Sequence, residues 1–372
     1  MIKVSPDISK LIPYVPGISP EALEREMGIS GAVKMASNEN PLGPSKKAIS
    51  AIRSHLKRIN QYPSGTSQDL KDALAEKWKV LPEQVIIGNG SNEIIELLVR
   101  TFVMPGDEVV MAHPSFSLYD KMAKTAHAKT VHVALEDGRH DLKEMSKAVN
   151  EKTKLIFICN PNNPTGTIIH HEDVKKFLLS IPKTALVVLD EAYAEYVTHP
   201  NFPHAVTLLN EGASLIMLRT FSKIYGLAGL RIGYGLSGVE MIDYMNRVRQ
   251  PFNANALGQQ GALAALSDEI HIRRSRKVNR EGKRYLFKMF EDMGISTYPS
   301  ETNFIYFYLQ NHRPDIGRAI HKALLQEGII IRHFGGVHFR VTIGLMRDNR
   351  GFIRSLKTIL SNIDPKAMIP DH

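Results

Sequence analysis

One cysteine, Cys159, is all that 372 residues contain. It lies inside an apolar run, which excludes a disulfide framework and a cysteine-based metal cluster, so no metal is expected and a reducing compartment fits. Met1 to Pro16 has no apolar core of signal-peptide length. Nor is any uninterrupted apolar stretch long enough to span a bilayer, so the expected location is cytoplasmic. Internal repeats and low-complexity tracts are absent. So are zinc-finger spacings and RNA-binding aromatic motifs.

What is present is an ordinary globular composition, 43% hydrophobic and 23% charged, with a formal net charge of +9. Two domains with sizeable cores are expected at this length. Much of the basic excess sits in His271 to Phe287. Apolar Ile272, Val278, Tyr285 and Leu286 fall there partly at helical spacing, so the segment reads as the solvated face of an amphipathic helix. Without a nucleic-acid motif, the charge suits small anionic substrates better than DNA or RNA.

The chain divides into three parts. Residues 1–44 form an arm, kept extended by Pro13, Pro16 and Gly17, with a short helix capped by Ser19, begun by Pro20 and ended by Gly28. Residues 45–255 alternate helical and strand patterns. Helices are expected over 67–78 and 92–102, and strands over 85–87, 108–112, 154–159, 185–189 and 214–218. Such alternation indicates an α/β fold with a mainly parallel sheet covered on both faces. Residues 256–372 read as a smaller α+β domain, with helices over 257–266, about 270–293 and about 349–362, and strands over 303–308, 329–332 and 339–343.

Polar clusters stand just beyond successive strands. They are Gly88-Asn89-Gly90-Ser91-Asn92, Asn160-Pro161-Asn162-Asn163-Pro164-Thr165-Gly166, Asp190-Glu191-Ala192-Tyr193 and Ser222-Lys223. Open parallel sheets bind ligands at that carboxyl edge, so the four would meet in one crevice. Lys223, desolvated near other cations, could lose its proton and form a Schiff base with an aldehyde. Arg231, Thr220 and Ser222 are donors suited to a phosphate. An aldehyde beside a phosphate suggests pyridoxal phosphate, although Ser-Lys alone fits a solvated loop lysine equally well.

The other clusters are each open to two readings. Gly88 to Glu93 could let backbone amides approach a phosphate at a helix start, or could simply be a tight turn. Glu93 stands where a dinucleotide fingerprint has its third glycine. Asp190, at a strand end, would be costly unless paired, either with a pyridinium nitrogen or in a structural salt bridge. Tyr193 and Asn163 could donate to a phenolate oxygen. Phe116 could stack on a flat ring or pack in the core. Tyr62-Pro63 is an extended step that could contact another subunit.

In this order, the motifs at 160–166, 190–193 and 221–233 resemble those of the fold-type I pyridoxal-phosphate aminotransferases. Ala36 to Pro44, Tyr62-Pro63, Arg249 to Asn253, Thr302-Asn303-Phe304 and Phe339 to Gly344 extend the likeness over nearly the whole chain. The resemblance implies that Lys223 is the cofactor lysine and proton shuttle and Asp190 the pyridinium partner, with Tyr193 and Asn163 as donors to the phenolate oxygen. It implies that Gly90, Ser91, Thr220, Ser222 and Arg231 hold the phosphate beside Asn92, and that Phe116 stacks on the ring. Tyr62 would reach the other subunit's cofactor in a homodimer. Arg340 and Arg332 would bind the substrate's anionic group, assisted from the arm by Tyr14 and Asn40. The implied reaction pairs L-histidinol phosphate with 2-oxoglutarate in histidine biosynthesis. Phenylalanine or tyrosine are alternative amino donors, and an inactive scaffold or nucleic-acid-binding regulator is the alternative of another class.

Overall fold

The computed structural model describes residues 2–13, 17–310 and 312–362. In the arm, the helix Pro20–Met27 begins where the Ser19 hydroxyl accepts from the Ala22 amide, and ends at Gly28, which adopts φ 67°. A further short helix, Pro6–Ser9, was not expected. The arm continues through a two-residue strand, Val33–Lys34 (β1).

The next eight strands make one sheet. They are Val85–Gly88 (β2), Glu108–His113 (β3), Lys129–Glu136 (β4), Arg139–His140 (β5), Thr153–Cys159 (β6), Leu186–Asp190 (β7), Leu215–Thr220 (β8) and Gly233–Leu236 (β9), in the order β2-β9-β8-β7-β6-β3-β4-β5. Parallel pairing runs from β4 through β3, β6 and β7 to β8, while β9 is antiparallel to both of its neighbours and β5 to β4. Side chains alternate between two cores. Ile156, Ile158, Val187, Leu189, Leu215 and Met217 face one layer of helices. Leu155, Phe157, Leu186, Val188, Ile216 and Leu218 face the other. Burial on both faces is why these strands are uninterrupted apolar runs. The strand order reverses between β3 and β6, and a crevice opens beyond the carboxyl ends there.

The remaining strands are Ser296–Thr297 (β10), Phe304–Tyr308 (β11), Ile329–Ile330 (β12), Arg332–His333 (β13) and His338–Thr342 (β14). Four of them form an antiparallel sheet, β10-β11-β14-β13, over a core that includes Leu286, Phe290, Phe307, Phe339, Phe352 and Leu356. The single strand expected over 329–332 is divided, because β12 pairs with β1 of the arm and β13 with β14. The boundary expected at 255 also shifts. The helix Ala256–Leu266 buries Ala262 and Ala265 in the large domain's core, and so does Ile272 of the following helix, Glu269–Asp292. That helix bridges the two domains, passing to the small core at Leu286 and Phe290.

Candidate active site

A cleft of about 610 Å³ lies at the crevice and is lined by the large sheet's carboxyl edge, the small sheet and the arm. Among its lining residues are Ser91, Asn92, Phe116, Asn163, Asp190, Tyr193, Thr220, Ser222, Lys223, Arg231, Arg332 and Arg340, all expected from the sequence. A larger groove of about 950 Å³, between Arg139 and Lys147 on one side and Tyr298 on the other, contains none of these motif residues.

Lys223 follows β8 on the irregular stretch that leads to Arg231. Its Nζ donates to the Ser37 carbonyl of the arm at 3.1 Å and lies 5.5 Å from the centre of the Tyr193 ring. Burial, reinforced by the Arg340 charge, pushes its pKa down to about 7, against the opposing pull of Glu39. Near neutrality the amine is therefore available unprotonated. Gly226, at φ 69°, turns the hinge under the arm; a Cβ there would meet the Gly43 carbonyl oxygen at 2.3 Å.

Asp190 ends β7 and is 3% exposed. Burial raises its pKa. That rise is opposed by the Tyr119 hydroxyl, which donates to Oδ2 at 2.7 Å, by the Ala192 amide at 3.2 Å, and by the Lys223 charge. Tyr119 is fully buried and stacks on Phe157 at 4.4 Å. It was not among the expected site residues, although it stands only three residues after Phe116.

The helix Ser91–Phe102 starts at Gly90 with no side-chain cap, so its first amides are open to an anion. Arg231 sits against this start. A Cβ on Gly90 would come within 2.6 Å of Nη2, while Nη1 donates to Ser222 Oγ at 3.3 Å and to the Ala228 carbonyl at 3.0 Å. Glu93, which spoils the dinucleotide fingerprint, ties this loop down. Its Oε2 accepts from the Asn89 amide at 2.5 Å and from Asn253 Nδ2 at 2.6 Å.

On the opposite wall Arg340 of β14 donates from Nη1 to Asn163 Oδ1 and from Nη2 to the Ala36 carbonyl at 2.7 Å. Tyr193 receives a hydrogen bond from Asn38 Nδ2 at 2.9 Å, and burial pushes its pKa up to about 12, so it stays protonated.

One expectation lands elsewhere. Asn40 does not reach the cleft. It is 7% exposed, and its Nδ2 is committed to the Ile224 carbonyl at 2.7 Å and Ser275 Oγ at 2.9 Å, where it pins the arm to the lysine hinge. Tyr62 lies off this cleft, 83% exposed and stacked on Phe252 at 4.6 Å. Tyr14 is outside the described residues. Conversely, Ala36, Ser37, Asn38 and Glu39 of the arm line the cleft, although none of the four was among the expected site residues.

An α/β scaffold with a lysine, a buried acid and an arginine in a crevice beyond the sheet's carboxyl edge defines a class of cofactor-dependent transferase, and the comparisons agree. Residues 30–354 match the family model for aminotransferase class I and II, and the chain belongs to that family. It is 48% identical to the histidinol-phosphate aminotransferase of Moorella thermoacetica over 95% of this chain and 92% of that protein. It is 42% identical to the one from Caldicellulosiruptor saccharolyticus over 95% and 99%. The structure of histidinol-phosphate aminotransferase from Sinorhizobium meliloti, in complex with pyridoxal-5'-phosphate, superposes with a TM-score of 0.89 at 28% identity, covering 98% of this chain and 99% of that one. No helix among the described residues is long and apolar enough to cross a membrane.

Proposed function

We propose that this chain is a pyridoxal-phosphate-dependent aminotransferase that moves the amino group of L-histidinol phosphate to 2-oxoglutarate, giving imidazole acetol phosphate and L-glutamate for histidine biosynthesis in the cytoplasm. The observation that carries the reading is the meeting of Asp190, at the end of β7, with Lys223 and Arg231, on the stretch after β8, around one cleft.

The donor set fits the cofactor. Asp190 is a buried acid suited to a protonated ring nitrogen. The uncapped helix start at Ser91, with Arg231, Thr220 and Ser222, suits a phosphate. When bound, pyridoxal phosphate supplies an electrophilic carbon and an electron-accepting ring. Asp190 would hold the proton of the ring nitrogen, Phe116 would stack on the ring face, and Tyr193 and Asn163 would donate to its oxygen. Lys223 Nζ, its pKa brought down to about 7 by burial, would in its unprotonated form take the proton from the amino donor's Cα. Arg340 and Arg332 would bind the anionic end of the substrate, and the arm, with Gly17 and residues 36–39 at the rim, would act as the lid. The proposed unit is a homodimer, with Tyr62 extending to the partner's site.

Two measurements test this. Borohydride reduction of the protein with pyridoxal phosphate should abolish a visible band and label Lys223; a label elsewhere, or full transaminase activity in Lys223→Ala, would overturn the assignment. The ratio of kcat/KM for histidinol phosphate, phenylalanine and tyrosine, each with 2-oxoglutarate, should favour histidinol phosphate. Preference for the unphosphorylated amino acids would make the protein an aromatic aminotransferase instead.

A further inference from the structure

Asn38 is 1% exposed, holds φ 57°, and joins three parts of the molecule. Its backbone amide donates to Thr342 Oγ1 at 2.9 Å, its Oδ1 lies 3.0 Å from that same hydroxyl, its Nδ2 lies 2.9 Å from the Tyr193 hydroxyl, and its carbonyl accepts from Asn303 Nδ2 at 3.0 Å.

The direction of each bond in this chain follows from what the groups can do. A backbone amide only donates, so it occupies a lone pair on Thr342 Oγ1. Thr342 is 4% exposed, and among the described residues its hydroxyl proton has no acceptor other than Asn38 Oδ1. Turning the Asn38 amide over would strand that proton, at about 1–3 kcal/mol for a buried donor left unpaired. The amide is therefore fixed with Nδ2 toward Tyr193. Since an amide nitrogen cannot accept, the Tyr193 hydroxyl must accept there and direct its own proton elsewhere. No described residue takes that proton, and Tyr193 lines the cleft.

We infer that Asn38 and Thr342 are positioning residues which aim the Tyr193 hydroxyl proton into the cleft, at an oxygen anion of the bound cofactor. Thr342 belongs to β14 of the small sheet, two residues from Arg340 and on the same face. The donor on the large domain thus takes its direction from the small domain through the arm. This inference rests on the cofactor reading above.

The test is a double-mutant cycle read by the pH midpoint of the visible band of bound pyridoxal phosphate, with the cofactor's dissociation constant from equilibrium dialysis as a second readout. Asn38→Asp replaces the donor by a carboxylate, which accepts the Tyr193 proton and reverses the chain. A hydroxyl donating to an oxygen anion stabilises that anion, so its loss should raise the midpoint by about one pH unit, as in Tyr193→Phe. The change should be absent when Asn38→Asp is made in Tyr193→Phe protein. Thr342→Val should raise the midpoint part of the way, and Thr342→Ser, which keeps the hydroxyl, should restore it. If the Asn38→Asp shift persists undiminished in Tyr193→Phe, or if Thr342→Val and Thr342→Ser behave alike, the inference fails. Should Asn38→Asp fail to fold, the two Thr342 variants decide it. A parent protein with no visible band at all would instead sink the cofactor reading.

Discussion

The side chain of Lys223 is where composition turns into chemistry. A lysine held near a pKa of about 7 inside the fold, against about 10.4 in an unfolded chain, carries a definite sign of linkage. Between those values the unfolded state binds more protons, so this residue's unfavourable contribution is greatest below about pH 7 and is relieved as pH rises. Cofactor-free Lys223→Met should therefore be more stable than the parent at about pH 6, with the advantage shrinking by about pH 9. Urea unfolding of both proteins at the two pH values checks this. A constant difference would mean that the lysine is not desolvated. Lys223, Asp190 and Arg231 could be picked out beforehand because each residue type is chemically conspicuous next to an apolar strand. Tyr119 and Asn38 could not. A tyrosine on a helix and an asparagine in a turn have sufficient ordinary reasons to be there, and only the hydrogen bonds to Asp190 and Tyr193 distinguish them.

Among elements, β8 carries the most. Its last residues do two jobs on opposite sides of the sheet. Thr220 opens onto the cleft, while Arg219 is 8% exposed and is clamped by Glu191 at 2.5 Å and Glu195 at 3.0 Å, with Trp78 5.0 Å away. The two carboxylates raise the pKa of Arg219 against the effect of burial, and burial pushes Glu191 up to about 7. Removing the guanidinium would leave two acids without their cation. Arg219→Met is accordingly expected to cost roughly 3–5 kcal/mol of stability. A thermal-unfolding loss below about 1 kcal/mol would contradict it, since that is the range of exposed pairs. The elements easiest to read from sequence were strands buried on both faces, such as Leu186–Asp190 and Leu215–Thr220, whose apolar runs leave little choice. Lys129–Glu136 was missed because it sits toward the sheet edge, where polar residues alternate with half-buried ones. Gly233–Leu236 was missed because its two glycines read as hinge rather than strand.

For the molecule as a whole, the unresolved matter in the sequence was which part covers which. The arm, the small sheet and the large sheet all reach one cleft, but strand pairing between Val33–Lys34 and Ile329–Ile330 spans nearly 300 residues and leaves no local pattern. Tyr62 and Phe252 form an exposed aromatic pair, with Ile59 65% exposed nearby in sequence. A charge placed there should weaken self-association if this face joins two copies. Tyr62→Glu is expected to shift the protein toward monomer in sedimentation velocity and to loosen pyridoxal phosphate at least tenfold. An unaltered dimer with unaltered cofactor affinity would remove Tyr62 from the proposed contact.

The pairing of β1 with β12 also limits how the chain can be taken apart. A fragment starting at residue 45 would keep every helix and strand of the large sheet, yet would lay bare one edge of Ile329–Ile330 and lose the carbonyls that hold Lys223 and Arg340. Such a piece should be recovered as aggregate, and adding back a peptide of residues 17–44 should rescue it.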